Sequence, residues 1–197
     1  FGIRYTEGEV RRPYSYFIDP IMAEVTRFCQ ENSLTIPDII LEPGRSIVGD
    51  AGITLYTAGA VRDIPGVRKY VSIDGGMPDN IRPALYGARY EAIVANRADE
   101  PLDDVVTIAG KCCETGDRII DDARLQTVQR GDIIAVFATG AYGFSMASNY
   151  NRLPIPAVVL VQDGASVEIV RRQTFDDMVA REISLREIFD NKVCAHI

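Results

Sequence analysis

From residue 49 onward the sequence consists mainly of short apolar segments rich in β-branched residues, separated by Gly, Pro and Asp. These segments lie at residues 49–60, 67–73, 92–94, 105–109, 133–138, 157–162 and 166–171. Segments of this length, with turn residues between them, predict an antiparallel β-sandwich or β-barrel. The clearest hairpin is Leu160–Val167, because Asp163 and Gly164 at its centre favour a tight two-residue turn.

The first 48 residues follow a different pattern, that of one helix followed by one strand. Asp19 and Pro20 predict the start of a helix over residues 19–32, since Asp is a favoured cap and Pro suits the first helical position. The apolar stripe of this helix consists of Ile21, Met22, Val25, Phe28 and Cys29. A buried strand over residues 38–41 then leads into polar residues 42–45, which is how an α/β barrel builds a site.

The C-terminal segment predicts short helices. Thr174 is a candidate helix cap, and Ser184 and Glu187 have the spacing of a capping box. The fold prediction is therefore α/β plus all-β. It comprises the C-terminal part of a (β/α)8 barrel over residues 1–47, a β-barrel or sandwich domain over residues 48–172 and a helical tail over residues 173–197.

Composition excludes several functional classes. The 197 residues carry a net charge of −7 without a basic run, which argues against nucleic-acid or anionic-membrane surfaces. The single histidine, His196, lies beside the C-terminus, so the chain lacks the residues for a Ser-His-Asp or Cys-His centre. The four cysteines show no C-x-x-C spacing, which predicts reduced cytoplasmic thiols and no metal site.

Two polar segments contain candidate binding residues. Glu42 and Arg45 follow the predicted strand, and Gly44 between them lets a ligand approach the backbone. A tight turn with a surface salt bridge would explain the same residues. Arg82 and Tyr86 are four residues apart and so share one face of a helical turn, where a guanidinium fork suits a carboxylate. The alternative is a loop with a solvated arginine.

Two further segments contain candidate catalytic residues. Cys112 and Cys113 follow a predicted strand beside Glu114, and a thiol can act as a general acid when its pKa lies near the working pH. Both thiols could instead be buried apolar side chains, although alternation along a strand would place them on opposite faces. Residues 139–151 are glycine-rich and aromatic and include Tyr142. An ordered loop with a buried tyrosine explains them equally well.

In this order the segments resemble the C-terminal half of the diaminopimelate decarboxylases, pyridoxal-phosphate enzymes of the alanine-racemase-like fold. The matching motifs are E-P-G-R at 42–45, D-G-G-M at 74–77, R-P-A-L-Y-G at 82–87, C-E-T-G-D at 113–117 and G-A-Y-G-F-S-M-A-S-N-Y-N at 140–151. The likeness extends from Phe1 to about Glu182. Five motifs in the correct order make it specific.

The resemblance implies decarboxylation of meso-2,6-diaminopimelate to L-lysine and CO2, the last step of lysine biosynthesis, with pyridoxal 5'-phosphate as the electron sink. It implies that Cys113 delivers a proton into the active site of the neighbouring subunit of a homodimer, and that Glu114 holds the distal ammonium of the substrate. The residues implied to hold the distal carboxylate are Arg45, Arg82 and Tyr86. The residues implied to line the cofactor are Glu42, Gly44, Arg45 and Tyr142, of which Tyr142 also lies near the substrate.

The chain departs from the family in one respect. The cofactor lysine, the ring-stacking histidine and the phosphate-binding glycine loop belong to earlier barrel segments of the family, and Lys69, Lys111 and Lys192 do not match that lysine's context. We therefore expect the chain to be part of a longer enzyme and inactive alone. Two alternatives stay open: a decarboxylase of another substrate with a distal carboxylate, such as carboxynorspermidine, and a non-catalytic dimerisation or binding fragment.

Overall fold

The computed structural model describes residues 1–190, which form two compact units divided between Ala147 and Ser148. The helices are α1 (Tyr14–Glu31), α2 (Gly44–Val48), α3 (Arg82–Tyr86), α4 (Phe175–Val179) and α5 (Leu185–Asp190). The strands are β1 (Thr54–Ile64), β2 (Arg68–Ile73), β3 (Ala92–Val94), β4 (Asp104–Ala109), β5 (Arg118–Leu125), β6 (Ile133–Val136), β7 (Val158–Gln162) and β8 (Ala165–Val170). None of the helices described over residues 1–190 is both long and apolar enough to cross a membrane.

The first unit is built on a six-stranded sheet in the order β3-β6-β1-β2-β4-β5. All neighbouring strands are antiparallel except β2 and β4, which are parallel. The expectation of a purely antiparallel sheet is therefore wrong for this pair. The reason is that after β2 the chain passes through α3 and crosses to β3 at the far edge of the sheet. It then returns as β4 in the same direction as β2.

The two edge strands, β3 and β5, approach each other and nearly close the sheet into a barrel. The link is the side chain of Gln126, which is 1% exposed and accepts a hydrogen bond from the backbone N–H of Val94 at 2.9 Å. Inside the barrel lie fully buried apolar side chains, among them Val71, Ile108 and Ile134. The predicted β-barrel is confirmed in this form.

Two strand predictions need correction. Strand β5 was absent from the sequence prediction, because Asp121 and Asp122 interrupt its apolar alternation and Asp122 takes a positive φ of 52°. Residues 49–53, which were expected to start a strand, instead include a 3-10 helix over Gly49–Ala51. The β3 segment lies at residues 92–94 as predicted.

The N-terminal helix starts earlier than the sequence indicates. Helix α1 begins at Tyr14, so Asp19 does not cap it and Pro20 lies inside it. Aromatic packing extends the first turns, since the ring of Phe1 lies 5.3 Å from the ring of Tyr14 and 5.4 Å from that of Phe17. Of the predicted apolar stripe, Cys29 is buried at 5% exposure, which confirms its place on a buried face, whereas Ile21 and Phe28 are 49% and 54% exposed.

The predicted buried strand over residues 38–41 is wrong for this structure. The structure assigns no strand there, and Ile40 is 88% exposed. A parallel strand needs a neighbour to pair with, and no strand found between residues 1 and 190 pairs with this segment.

The second unit contains the antiparallel hairpin of β7 and β8. Asp163 and Gly164 have φ values of 51° and 77°, as the type I′ turn requires, so the predicted hairpin is confirmed. Thr174 caps α4 in a reciprocal capping box with Asp177, which confirms that cap as well. Helix α5 starts directly after Ser184, but the side chain of Glu187 and residues 191–197, including Cys194 and His196, lie outside the described part.

Candidate active site

A cleft of about 510 Å³ in the first unit brings together most of the residues that the sequence singled out. Its lining includes Glu42, Gly44, Arg45, Arg82, Tyr86 and Tyr142. Phe1 and Met146 also line it. The structure thus joins six of the eight predicted site residues, although they come from three distant parts of the chain. Cys113 and Glu114 are not among the lining residues.

The wall that carries Arg45 is the turn leading into α2. The Ser46 hydroxyl, which is buried, donates to the carbonyl oxygen of Pro43 at 3.2 Å and accepts from the hydroxyl of Tyr14 at 3.1 Å. These bonds hold the turn against helix α1. A Cβ at Gly44 would meet no atom within 4 Å, so the backbone there is open to a ligand.

The loop that carries Tyr142 is fixed by close backbone packing against the end of α2. A Cβ at Gly140 would collide with the carbonyl oxygen of Val48, so only glycine fits. The N–H groups of Thr139 and Gly140 donate to the carbonyl oxygens of Gly52 and Gly49 at 3.0 and 2.9 Å. Tyr142 itself has a φ of 61° and is 46% exposed. The reading of Tyr142 as a buried loop residue is therefore wrong.

Arg82 lies at the start of α3, with aromatic rings on several sides. Its guanidinium carbon lies 5.1 Å from the ring centre of Tyr142, 5.6 Å from that of Tyr86 and 5.9 Å from that of Tyr5. These distances are those of cation–π contacts. The contact with Tyr86 confirms that the two side chains of R-P-A-L-Y share one face of a helical turn. Arg82 is not a freely solvated loop side chain.

The charges of the two cleft arginines are not neutralised by acidic side chains. Within residues 1–190, neither Arg45 nor Arg82 forms an ion pair with a carboxylate. The salt bridge between Glu42 and Arg45 that a purely structural turn would contain is therefore absent from this part of the chain. Two unpaired guanidinium groups on one cleft make it suitable for a ligand with carboxylate or phosphate groups.

Cys113 and Glu114 lie on a separate exposed loop that follows β4. Asp117, which is 3% exposed, holds this loop by accepting the N–H of Cys112 at 2.7 Å and the N–H of Met77 at 2.6 Å. It therefore joins the loop to the glycine segment that precedes Arg82. Gly76 and Gly110 pack so closely on the Asp117 carboxylate that a Cβ at either position would clash with it.

The two adjacent thiols differ in environment. Burial, followed by the nearby Asp117 charge, raises the pKa of the Cys112 thiol to about 11, which keeps it protonated and poorly nucleophilic. Cys113 is exposed. One thiol thus faces inward and the other outward as predicted. The two side chains point in different directions because they lie in a turn. They do not alternate along a strand, since β4 ends at Ala109.

The cleft residues fit an anionic cofactor but supply no amine to carry it. Lys69 is ion-paired with Asp104, and Lys111 is exposed on the Cys113 loop. No lysine lines the cleft among residues 1–190. Sequence reasoning missed three residues that shape the site. These are Tyr5, whose ring packs on Arg82, Tyr90, whose hydroxyl accepts a hydrogen bond from Nε of Arg82, and Asp117, which holds the Cys113 loop. Only Asp117 lay within a motif, and its burial could not be seen from the sequence.

Comparison with known proteins gives a consistent picture. The family model described as "Pyridoxal-dependent decarboxylase, C-terminal sheet domain" matches residues 15–140. The chain is 52% identical over 186 residues to a diaminopimelate decarboxylase of Bacillus subtilis and 48% identical over 183 residues to one of Staphylococcus aureus. These alignments cover 94% and 92% of this chain but only 42% and 43% of those proteins.

The solved structures agree with the sequence comparisons. A diaminopimelate decarboxylase from M. jannaschii, solved in complex with L-lysine, superposes with a TM-score of 0.83 at 36% identity, covering 93% of this chain and 41% of that one. A lysine/ornithine decarboxylase from Vibrio vulnificus, at 20% identity and a TM-score of 0.62, shares the fold alone. The chain therefore spans about two fifths of the length of its similar relatives.

Proposed function

Because this chain belongs to the pyridoxal-dependent decarboxylase family, as a carrier of its C-terminal sheet domain, we propose that it forms part of an enzyme that converts meso-2,6-diaminopimelate to L-lysine and CO2. The resemblance of its sequence to the diaminopimelate decarboxylases is confirmed. The observation that carries the proposal is the pair of arginines on one cleft, neither ion-paired within residues 1–190. A substrate with a carboxylate far from its reacting carbon needs such a grip.

Arg82 holds the distal carboxylate of the substrate with its fork of N–H donors, and Tyr86 and Arg45 complete that end of the cleft. Binding energy at this end selects which of the two carbon centres is presented for reaction. Substrates such as ornithine, which lack the distal carboxylate, gain nothing from Arg82. This chemistry favours diaminopimelate over them.

Glu42, Gly44, Arg45 and Tyr142 form the side of the cleft that we assign to pyridoxal 5'-phosphate. Their charge and the open backbone at Gly44 fit an anionic ring cofactor. When bound, the cofactor supplies the electron sink for loss of CO2. No lysine among residues 1–190 lines the cleft, and the resemblance to the family assigns the amine that attaches the cofactor to an earlier barrel segment.

Cys113 supplies the proton to the carbon that has lost CO2. Its loop is exposed and does not line the cleft of its own chain, so we assign it to the cleft of a second subunit in a homodimer. Glu114, on the same loop, then holds the distal ammonium of the substrate. The cleft and the Cys113 loop therefore have complementary roles: the cleft binds the substrate, and the loop completes the reaction.

The rest of the architecture follows from this assignment. Residues 1–47 contribute the last units of a (β/α)8 barrel, residues 48–172 the β domain and residues 173–197 a helical tail, in a longer cytoplasmic enzyme. The unpaired segment over residues 38–41 is then the barrel strand that finds its partners in the rest of the protein.

The test is a substrate panel on the full-length protein. With pyridoxal phosphate present, it should release CO2 and L-lysine in equal amounts from meso-diaminopimelate and leave ornithine and arginine unchanged. If the enzyme prefers carboxynorspermidine, that compound replaces diaminopimelate as the proposed substrate. Absence of turnover and of the visible absorbance of the cofactor would support a non-catalytic module.

A further inference from the structure

Tyr90 is the buried partner of Arg82. Its side chain is 4% exposed, and its hydroxyl oxygen accepts the Nε–H of Arg82 at 3.0 Å. Neither Nη group of Arg82 has a hydrogen-bond partner among residues 1–190. One edge of the guanidinium is thus fixed by the protein, while its two terminal nitrogens stay available.

A second tyrosine supports the same arrangement. The ring of Tyr5 stands edge-on to the ring of Tyr90, with centroids 5.5 Å apart and an interplanar angle of 89°. The guanidinium carbons of Arg45 and Arg82 each lie 5.9 Å from the centre of the Tyr5 ring. Tyr5 therefore touches both cleft arginines and ties them to the barrel core, against which it packs.

We propose that Tyr90, supported by Tyr5, is a positioning residue that aims the two Nη groups of Arg82 into the cleft and so sets selectivity for a ligand with a distal carboxylate. The inference rests on the proposed function and deepens it. Neither tyrosine lines the cleft, so each acts through an arginine.

The neutral charge of the Tyr90 hydroxyl matters as well as its position. Burial raises the pKa of the Tyr90 hydroxyl, against the opposing effect of Arg82, so the group stays neutral at physiological pH. A carboxylate in the same place would also hold Nε, but it would neutralise the guanidinium. A neutral acceptor orients the arginine and leaves its full charge for the ligand.

The experiment compares two ligands that differ only in the carboxylate. L-Lysine, the proposed product, retains the carboxylate of the distal centre, whereas cadaverine lacks it. Binding of each to the full-length holoenzyme is measured by titration calorimetry, which does not depend on turnover. The variants are Tyr90→Phe and, as matched control, Tyr56→Phe. Tyr56 is also 4% exposed, but its hydroxyl has no hydrogen-bond partner in the described chain.

Tyr90→Phe should weaken L-lysine binding by roughly tenfold, the size expected for one lost charge-assisted bond. Cadaverine affinity should stay within about twofold, because it makes no use of the guanidinium. Tyr56→Phe should change neither. In steady-state kinetics the same loss for Tyr90→Phe should fall on KM for diaminopimelate and leave kcat nearly unchanged, which general loosening of the fold would not produce.

The outcomes separate the two hypotheses. If the wild-type protein does not prefer L-lysine to cadaverine, the proposed grip on a distal carboxylate is wrong, and the positioning role with it. If the wild type shows the preference and Tyr90→Phe keeps it, only the positioning role is wrong. Should Tyr90→Phe fail to bind cadaverine, Tyr5→Leu decides, since loss of that ring should reduce the preference for L-lysine and a retained preference contradicts the proposal.

Discussion

The Arg82 cleft and the Cys113 loop are neighbours in the fold but differ in what they offer. The cleft has walls from three chain segments, two arginines without carboxylate partners in residues 1–190 and an aromatic surround. The loop presents a thiol and a carboxylate on an exposed turn that lines no part of that cleft. Under the proposed function, the cleft is a binding site that lacks a proton donor, and the loop is a proton donor that lacks a binding site.

This difference suggests how one chain can serve two active sites. Asp117 fixes the Cys113 loop to the segment before Arg82 through the N–H groups of Cys112 and Met77. In the proposed homodimer, Asp117 therefore holds together the binding half-site of a chain (the Arg82 cleft) and its donor half-site (the Cys113 loop), while the two serve different active sites. Single substitutions in the full-length holoenzyme should separate the contributions of the two half-sites.

The largest effect should come from the donor half-site. Cys113→Ala removes the proposed general acid, and we expect kcat for diaminopimelate to fall by about 10²- to 10⁴-fold. KM should change little, because the binding cleft is intact. Cys112→Ala is the matched control, since the raised pKa and partial burial of that thiol give it a packing role. Equal losses of kcat in both variants would mean that the donor is wrongly assigned.

A substitution in the binding half-site, the Arg82 cleft, should change KM for diaminopimelate. Arg82→Ala removes the proposed bidentate partner of the distal carboxylate, and KM should rise by about 100-fold. Arg89→Ala is the control, because Arg89 is exposed nearby and does not line the cleft. If KM is unaffected by Arg82→Ala, the cleft does not hold the substrate through this residue.

Loss of the Asp117 link between the two half-sites should lower the stability of the fold. Asp117→Asn turns one of two acceptor oxygens into a donor that faces a backbone N–H, so the free energy of unfolding should drop by about 2 kcal/mol. Asp99→Asn, at an exposed position, should have almost no effect. Denaturant titration measures both. A loss equal to that of the control would show that Asp117 is not the link.

The sequence predicted the cleft better than it predicted the fold around it. Arg82 and Tyr86 could be placed on one face because helical spacing is local. Tyr90 could not be assigned, because its bond to Arg82 depends on how α3 turns back at Gly87, which has a φ of 60°. The buried role of Asp117 likewise depends on two loops that meet only in the folded barrel.

The N-terminal region shows that an apolar sequence pattern alone does not predict which segments are buried. Residues 38–41 have the apolar run of a buried strand, yet they are exposed in this structure. An apolar run predicts that a segment will be covered without identifying what covers it. For α1, contacts of Phe1 with Tyr14 and Phe17 outweighed the cap signal of Asp19, and such contacts cannot be read from local sequence.

The most direct test of the shared site is subunit complementation. Cys113→Ala and Arg82→Ala subunits with different tags are co-expressed, and the mixed dimer is isolated through both tags. Turnover is measured at a diaminopimelate concentration near the wild-type KM, where the raised KM of Arg82→Ala leaves its parent dimer nearly inactive. If each site takes Arg82 from one subunit and Cys113 from the other, the mixed dimer holds one intact site and should regain about half of the wild-type turnover. Activity no higher than that of the two parent dimers would contradict a site built across subunits.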